Sequence, residues 1–498
     1  VAQSSLPPLD KLDPQDAWKP WQPDARNPWS LKWAAHLFRR AAFGVPAYEP
    51  KLSGWEGLQR AVREGPAATL KRLEDGGPGL EEFDALLNDL APHMGRGRNR
   101  FSENREGPEQ EIRGWWLYAM MFSPHPLRER MTLFWHNHFA TSIAKVGRPE
   151  LMLKQNQTLR AHALGKFQPL LLAVSRDPAM QVWLDSNSNV KGYANENYAR
   201  ELMELFSLGT GNYTEKDVKE AARAFTGWHT DGEAFAFNAS QHDGGPKTFL
   251  GKTGAWDGGD VIRIVLEQPA AARFLVRKLY RHLISESEPP PAALLEPLAE
   301  QLRRADYDIR TVVRTILRSR LFFSEHAYRR RIKSPVEYIV GLIRGLDDQP
   351  QMPQLAAAMK GLGQDLFAPP NVKGWDGGKA WLNTATLLAR HNLAWTLVGN
   401  QARRDVMEER SFGRARSFTT AAAPRSSAVD LVRKHGGADA PRQVAFLLDL
   451  FLAGDVDAAG RQKLESFLKR DNPKDKTWEQ RIRETMHTIL LMPEYQLA

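Results

Sequence analysis

Apolar residues return every three to four positions through most of this chain, and such runs repeatedly stop at a glycine or a proline. "LKWAAHLFRRAAFG" (31–44), "AAARFLVRKLYRHLI" (270–284), "IRTVVRTILRS" (309–319) and "PVEYIVGLIRGL" (335–346) all follow this pattern. A period near 3.6 places the apolar side chains on one helical face, so each run predicts an amphipathic or buried helix. Strand-like alternation is confined mostly to "EAFAFNASQHDGGPKTFLGKTGAWDGG", within 229–260. The expected fold is mainly α: a large multi-helix body with a small β-hairpin and Gly-rich insertion around 229–260.

The same reading divides the chain. Residues 1–30 read as an extended arm rich in Pro and Trp, and 31–400 as the helical core that carries the 229–260 insertion. Residues 403–428, rich in Arg, Ser and Ala, read as a flexible basic linker, and 429–498 as a C-terminal helical segment. No apolar run approaches the roughly 18–20 residues of a membrane-spanning helix. The 498 residues include no cysteine, which excludes disulfides, thiolate ligands and cysteine nucleophiles and fits export to an oxidising compartment, periplasmic or secreted. A formal net charge of +9 favours polyanionic partners. The basic pieces "GRGRNRFSENR" (95–105), "YRRRIK" (328–333) and "RSFGRARSF" (410–418) contribute. No zinc finger, RNA-binding aromatic signature or helix-turn-helix accompanies them, so nucleic acid is not the expected partner.

Several polar groups are candidates for chemistry. "FWHNHFATS" (134–142) holds His136 and His138 two apart. On a helix they would point about 200° apart; on an extended segment they would share a face and could share a metal. A distant carboxylate, Glu201 or Asp243, would complete a two-histidine-plus-carboxylate set suited to Zn, Fe or Mn, so a divalent transition metal is the candidate cofactor. In the helix predicted over 195–208, Glu196, Arg200 and Glu204 form an i, i+4 ladder, which leaves Glu201 without a partner on its own helix and therefore the better acid or base. His242 and Asp243 lie in the Gly-rich insertion, where His242 is a second acid–base candidate. Asp185, Asn187 and Asn189 alternate in "LDSNSNVKG" in the manner of a calcium loop that lacks its closing glutamate, and a plain turn is the competing reading. Paired with Glu201, Asp185 would supply the two carboxylates of glycoside cleavage. Asn197, Asp243, Trp228, Trp375 and Asn383 are candidate substrate contacts, the tryptophans serving as sugar-stacking faces or as core filler.

The motifs "HLFRRAAFG", "PLRERMTLFWHNHFATS", "NENYARELMELFSLGTGNYTEKDVKEAARAFTGW", "HDGGPKTFLG", "ARFLVRKLYRHLI" and "APPNVKGWDGGKAWLNTATLLAR", in that order, resemble the bacterial domain of unknown function 1800 family. The resemblance implies an exported protein and a sulfatase-like partner, and it carries no reaction. The residues therefore lead to two expectations. One is an exported hydrolase acting on an extracellular polysaccharide, anionic or sulfated, through a metal-assisted His/Glu cleft. The other is a non-catalytic scaffold that binds a sulfatase-like protein or a surface polysaccharide. Convergence of Glu201 with at least two of His136, His138 and His242 on one open pocket separates them.

Overall fold

The computed structural model describes residues 6–45, 53–91, 107–347, 352–399, 428–469 and 477–498. The basic pieces at 95–105 and 410–418 fall outside these residues, as does nearly all of the predicted linker at 403–428. Two small antiparallel hairpins are the only sheets among the described residues; everything else regular is helical. Trp228–Thr230 pairs with Phe235–Phe237, and Lys247–Phe249 pairs with Lys252–Gly254. Both hairpins fall in the stretch whose alternation marked it as an insertion, and the fold is mainly α.

The chain divides into two compact units, each assembled from separate stretches. The first comprises Val1–Trp21, Met131–His326 and Phe367–Asp376; the second comprises Gln22–Arg130, Ala327–Leu366 and Gly377–Ala498.

In the first unit, helix Ile309–Arg318 shows how the pattern becomes packing. Ile309, Val312, Val313, Ile316 and Leu317 are buried, while Arg310 and Arg314 fall on the opposite side. Each buried aliphatic side chain contributes about 1.5–3 kcal/mol. This helix packs with Ala292–Arg304 and Pro269–Leu283, which bury stripes of the same kind. The N-terminal arm differs from the extended reading: it contains the short helices Leu9–Lys11 and Pro14–Ala17. The buried Trp18 indole then donates to the carbonyl of Leu294 at 2.6 Å. A single large aromatic seeking both burial and a hydrogen-bond acceptor ties the arm down.

The second unit is organised around helix Pro335–Leu346, whose residues are buried on nearly every side. Ser334 and Glu337 close a capping box at its start, with Pro335 at the first helical position. Near its end, the buried Arg344 guanidinium donates to the carbonyls of Met121 (3.0 Å), Met120 (2.7 Å) and Ala42. Met120 and Met121 lie in the last turn of Pro108–Phe122, whose carbonyls have no acceptor role left within the helix, and Ala42 is the capping residue that follows Leu31–Ala41. One arginine thus satisfies two helix C-termini inside the core. No helix among the described residues is long and apolar enough to cross a membrane.

Candidate functional site

Helix Pro126–His138 runs through both histidines. Helical geometry therefore directs His136 and His138 apart, and the shared metal site is corrected on that ground. His136 is buried against the rings of Phe367 and Trp375, at 5.6 and 5.7 Å between centroids. Burial pushes its imidazole down to about 3. His138 has both ring nitrogens engaged, Nε2 with the Phe206 carbonyl at 3.0 Å and Nδ1 with Lys278 Nζ at 3.1 Å. Among the described residues no group of three or more His, Asp or Glu side chains is placed to hold a metal ion.

The residue between them holds a loop. Asn137 Oδ1 accepts from the Trp375 amide at 2.7 Å and its Nδ2 donates to the Trp375 carbonyl at 3.3 Å. Gly374, at φ +83°, lets the backbone pass close to Asn137. Trp375 is buried, so its ring is packing for His136 and not a stacking face.

The other candidates are also engaged. Asp243 accepts from Arg223 Nε at 2.7 Å, and that guanidinium together with the Gly245 amide draws its carboxyl down to about 2. A carboxylate held so strongly ionised is poorly suited to general acid work. His242 Nδ1 donates to the Thr226 carbonyl at 2.8 Å, which leaves Nε2 as the acceptor nitrogen of a half-buried ring. Asn383 caps helix Thr384–Gly399 through reciprocal bonds with Thr386, at 3.0 and 2.9 Å. Asp185 pairs with Lys145 Nζ at 2.8 Å and sits at φ 58°, the left-handed turn position that the Asn-rich composition suits. Asn197 is exposed, and its amide donates to Asn195 Oδ1 at 2.9 Å.

Glu201 lies at the junction of the α-turns Asn197–Glu201 and a π-helical stretch, Leu202–Ser207. Arg200 binds Glu196 at 3.0 Å and Glu215 at 2.7 Å, not Glu204, which accepts from the Tyr213 hydroxyl at 3.3 Å. The widened turn takes Glu204 off the predicted ladder. Burial and, next, the neighbouring Glu204 push the Glu201 carboxyl up, while Arg200 and Lys373 oppose them.

What the fold does gather is a small hollow one turn away from Glu201, whose enclosed space of about 10 Å³ holds one water-sized group and opens to solvent at its mouth. Tyr198, Phe225 and Trp228 supply rings, and Ser175, Gln181, Asn189 and Asn195 supply amides and hydroxyls. Asn189 builds it: its Nδ2 donates to the Ala222 carbonyl at 3.0 Å and its Oδ1 accepts from the Asn195 amide at 2.9 Å, clamping the loop to the next helix. The Tyr198 hydroxyl is bonded to Ser175. Gln181 Oε1 is buried with no hydrogen-bond partner. No carboxylate, imidazole, amine or guanidinium is among the lining residues. Tyr193, on the loop joining Asn189 to Asn195, is 84% exposed. Sequence reasoning found Trp228 and the Asn-rich loop but missed Gln181, Tyr193 and Tyr198. "QVWLDSNSN" following "DP" carried only a weak signal, a short capped helix running into the turn.

The chain is mainly helical, and the hollow beside Tyr198 is neutral, amide-lined and aromatic. The family model described as "Protein of unknown function (DUF1800)" matches residues 36–497, and the chain belongs to that family. No curated protein and no solved structure matches the chain.

Proposed function

We propose that this protein is a non-catalytic binding protein that engages a sugar residue of an extracellular or surface polysaccharide across the mouth of the hollow beside Tyr198, with one hydroxyl entering it. The supporting observation is the lining itself: amides, hydroxyls and aromatic rings without an acid–base group. Neutral donors, acceptors and ring faces are what sugar hydroxyls and C–H surfaces require. Glycoside cleavage needs two opposed carboxylates about 5–9.5 Å apart, one to each face of the bond. Gln181 Oε1 is an acceptor without a donor, and a buried acceptor left so costs about 1–3 kcal/mol; a ligand hydroxyl or a water offsets it. Tyr193, on the loop between the lining residues Asn189 and Asn195, is the exposed ring that this reading assigns to the next sugar. The lack of cysteine supports a periplasmic or secreted setting. In this reading the sulfatase-like partner implied by the family resemblance supplies the chemistry on the held polymer.

Calorimetric titration with neutral and sulfated oligosaccharides tests the reading. Saturable binding to the wild type, weakened at least tenfold in both Tyr193→Ala and Gln181→Leu, is the expected result. Equal binding by all three proteins, or none by the wild type, overturns it. The hydrolase reading keeps one favourable observation, the raised carboxyl of the half-exposed Glu201 next to Glu204. Release of reducing sugar by the wild type and its loss in Glu201→Gln would establish that reading instead.

A further inference from the structure

The second unit contains a separate hollow with about 490 Å³ of space, its open mouth included. Its walls include Arg39, Lys333, Glu337, Tyr495 and the bare helix faces at Gly341 and Gly345. These two glycines are four apart on helix Pro335–Leu346 and share a face, where they let neighbours pack close: a Cβ would stand 3.0 Å from the Phe43 carbonyl oxygen at Gly341 and 2.8 Å from the Phe451 ring at Gly345. Arg39 is 8% exposed and Lys333 is 5% exposed. Neither forms an ion pair among the described residues. Arg39 Nε and Nη2 are buried with no hydrogen-bond partner, and the Tyr495 hydroxyl is in the same condition. Lys333 Nζ lies 3.5 Å from the centre of the Tyr495 ring.

Glu337 answers this charge only in part. Its carboxylate is already shared by Arg130 and Arg331, the latter at 2.9 Å, and accepts the Ser334 amide at 2.7 Å. Arg390, buried nearby, donates to the Lys333 carbonyl at 2.8 Å and to Gln496 Oε1 at 2.9 Å and has no carboxylate partner among the described residues. Arg39, Lys333 and Arg390 are thus buried without an ion pair among the described residues, and the other nearby carboxylate, Asp455, is itself paired with Arg329 at 3.1 Å. Removing an unpaired cation from water is among the costliest operations in folding, and a counter-anion is the direct remedy. A guanidinium with two nitrogens open, an ammonium and a phenol around a small space form the donor set that tetrahedral oxyanions take up.

We infer that this hollow is a binding site for a small oxyanion of the phosphate or sulfate class, held by Arg39 and Lys333 with Tyr495 as a third donor. This site is independent of the sugar hollow, which lies in the other unit. The oxyanion arrives either as the free ion or as an ester group on a polymer. A carboxylate of the chain itself seated between the two cations would serve equally, and then no added anion would bind.

Equilibrium dialysis of the full chain with radiolabelled inorganic phosphate, against a chloride background of constant ionic strength, tests the site. The expected result is saturable binding of one phosphate per chain, displaced by sulfate, and weakened at least tenfold in Arg39→Gln and in Lys333→Met. Arg39→Lys keeps a charge and serves if the glutamine variant does not fold; it should weaken binding as well, since one ammonium cannot replace the guanidinium fork. Displacement of bound phosphate by a sulfated oligosaccharide, but not by its desulfated form, assigns the ester as a source; displacement by inorganic sulfate alone assigns the free ion. Absence of saturable binding by the wild type, or binding unchanged in the folded variants, overturns the proposal.

Discussion

Lys278 Nζ stands 3.1 Å from His138 Nδ1 and 3.0 Å from the carbonyl oxygen of Leu205. The imidazole passes its own Nε2 hydrogen to the Phe206 carbonyl at 3.0 Å. Leu205 and Phe206 lie in the π-helical turn, whose last carbonyls have no acceptor role left inside the helix. A buried amine and a neutral histidine therefore cap that turn from the side. The tautomer follows from the geometry: Nε2 carries the hydrogen and Nδ1 offers its lone pair to the ammonium.

Burial, and then Arg281, push the Lys278 amine down to about 7 from 10.5. The folded state thus holds its proton less tightly than the unfolded chain does. Between about pH 7 and 10.5 the unfolded state carries the extra proton, so this group makes stability rise with pH across that window. Denaturant titrations of the wild type at pH 7 and 9.5 should show a gain of about 1–3 kcal/mol from this residue, absent in Lys278→Met. Equal slopes for the two proteins would remove the amine from the account.

The Asn137–Trp375 clamp should be costly to break. Asn137→Ala removes both bonds and leaves the backbone of a buried turn unpaired, a loss of about 1–3 kcal/mol in unfolding free energy. Gly374→Ala should do more harm, because its new Cβ would stand 2.6 Å from the Asn137 carbonyl at a backbone angle that favours glycine. Thermal melts of the two variants rank them; an alanine at 374 that melts with the wild type contradicts the close approach.

Glu337 is the one carboxylate shared by two buried arginines, Arg130 and Arg331. Glu337→Gln removes the charge that both share and is expected to destabilise by about 3–5 kcal/mol, or to prevent folding. Circular dichroism and expression yield report it. A variant as stable as the wild type would show that the buried positive charge is balanced elsewhere.

Gln181→Leu and Tyr193→Ala should separate binding from stability. The first removes an acceptor that has no donor, so its melting temperature should hold or rise. The second removes an exposed ring, with a change within about 0.5 kcal/mol. Both should nevertheless lose saccharide affinity, and a large stability loss in either would assign it to the scaffold.

Much of the architecture was legible in the chain because it is local. The 3.6 period and the alternation near 229–260 both act within a few residues, and each appears where its pattern placed it. Even the divergence of His136 and His138 follows once the helix is known to continue through His138. The N-terminal arm was misjudged, since its anchor is a bond from Trp18 to Leu294, 276 positions away. The π-helical turn was also invisible, because Lys278 and His138 satisfy its carbonyls from distant parts of the chain.

By itself the sequence determined that this protein is helical, without thiol chemistry, basic and a member of its family, because composition and short-range periodicity are properties of neighbours along the chain. Only the tertiary structure decided which polar groups meet. It directed His136 and His138 apart along one helix and placed Gln181, Asn189, Asn195 and Trp228 around one hollow. It also drew Arg39 and Lys333 toward another. Which side chains share a cavity depends on the packing of segments hundreds of residues apart, and no local pattern encodes that.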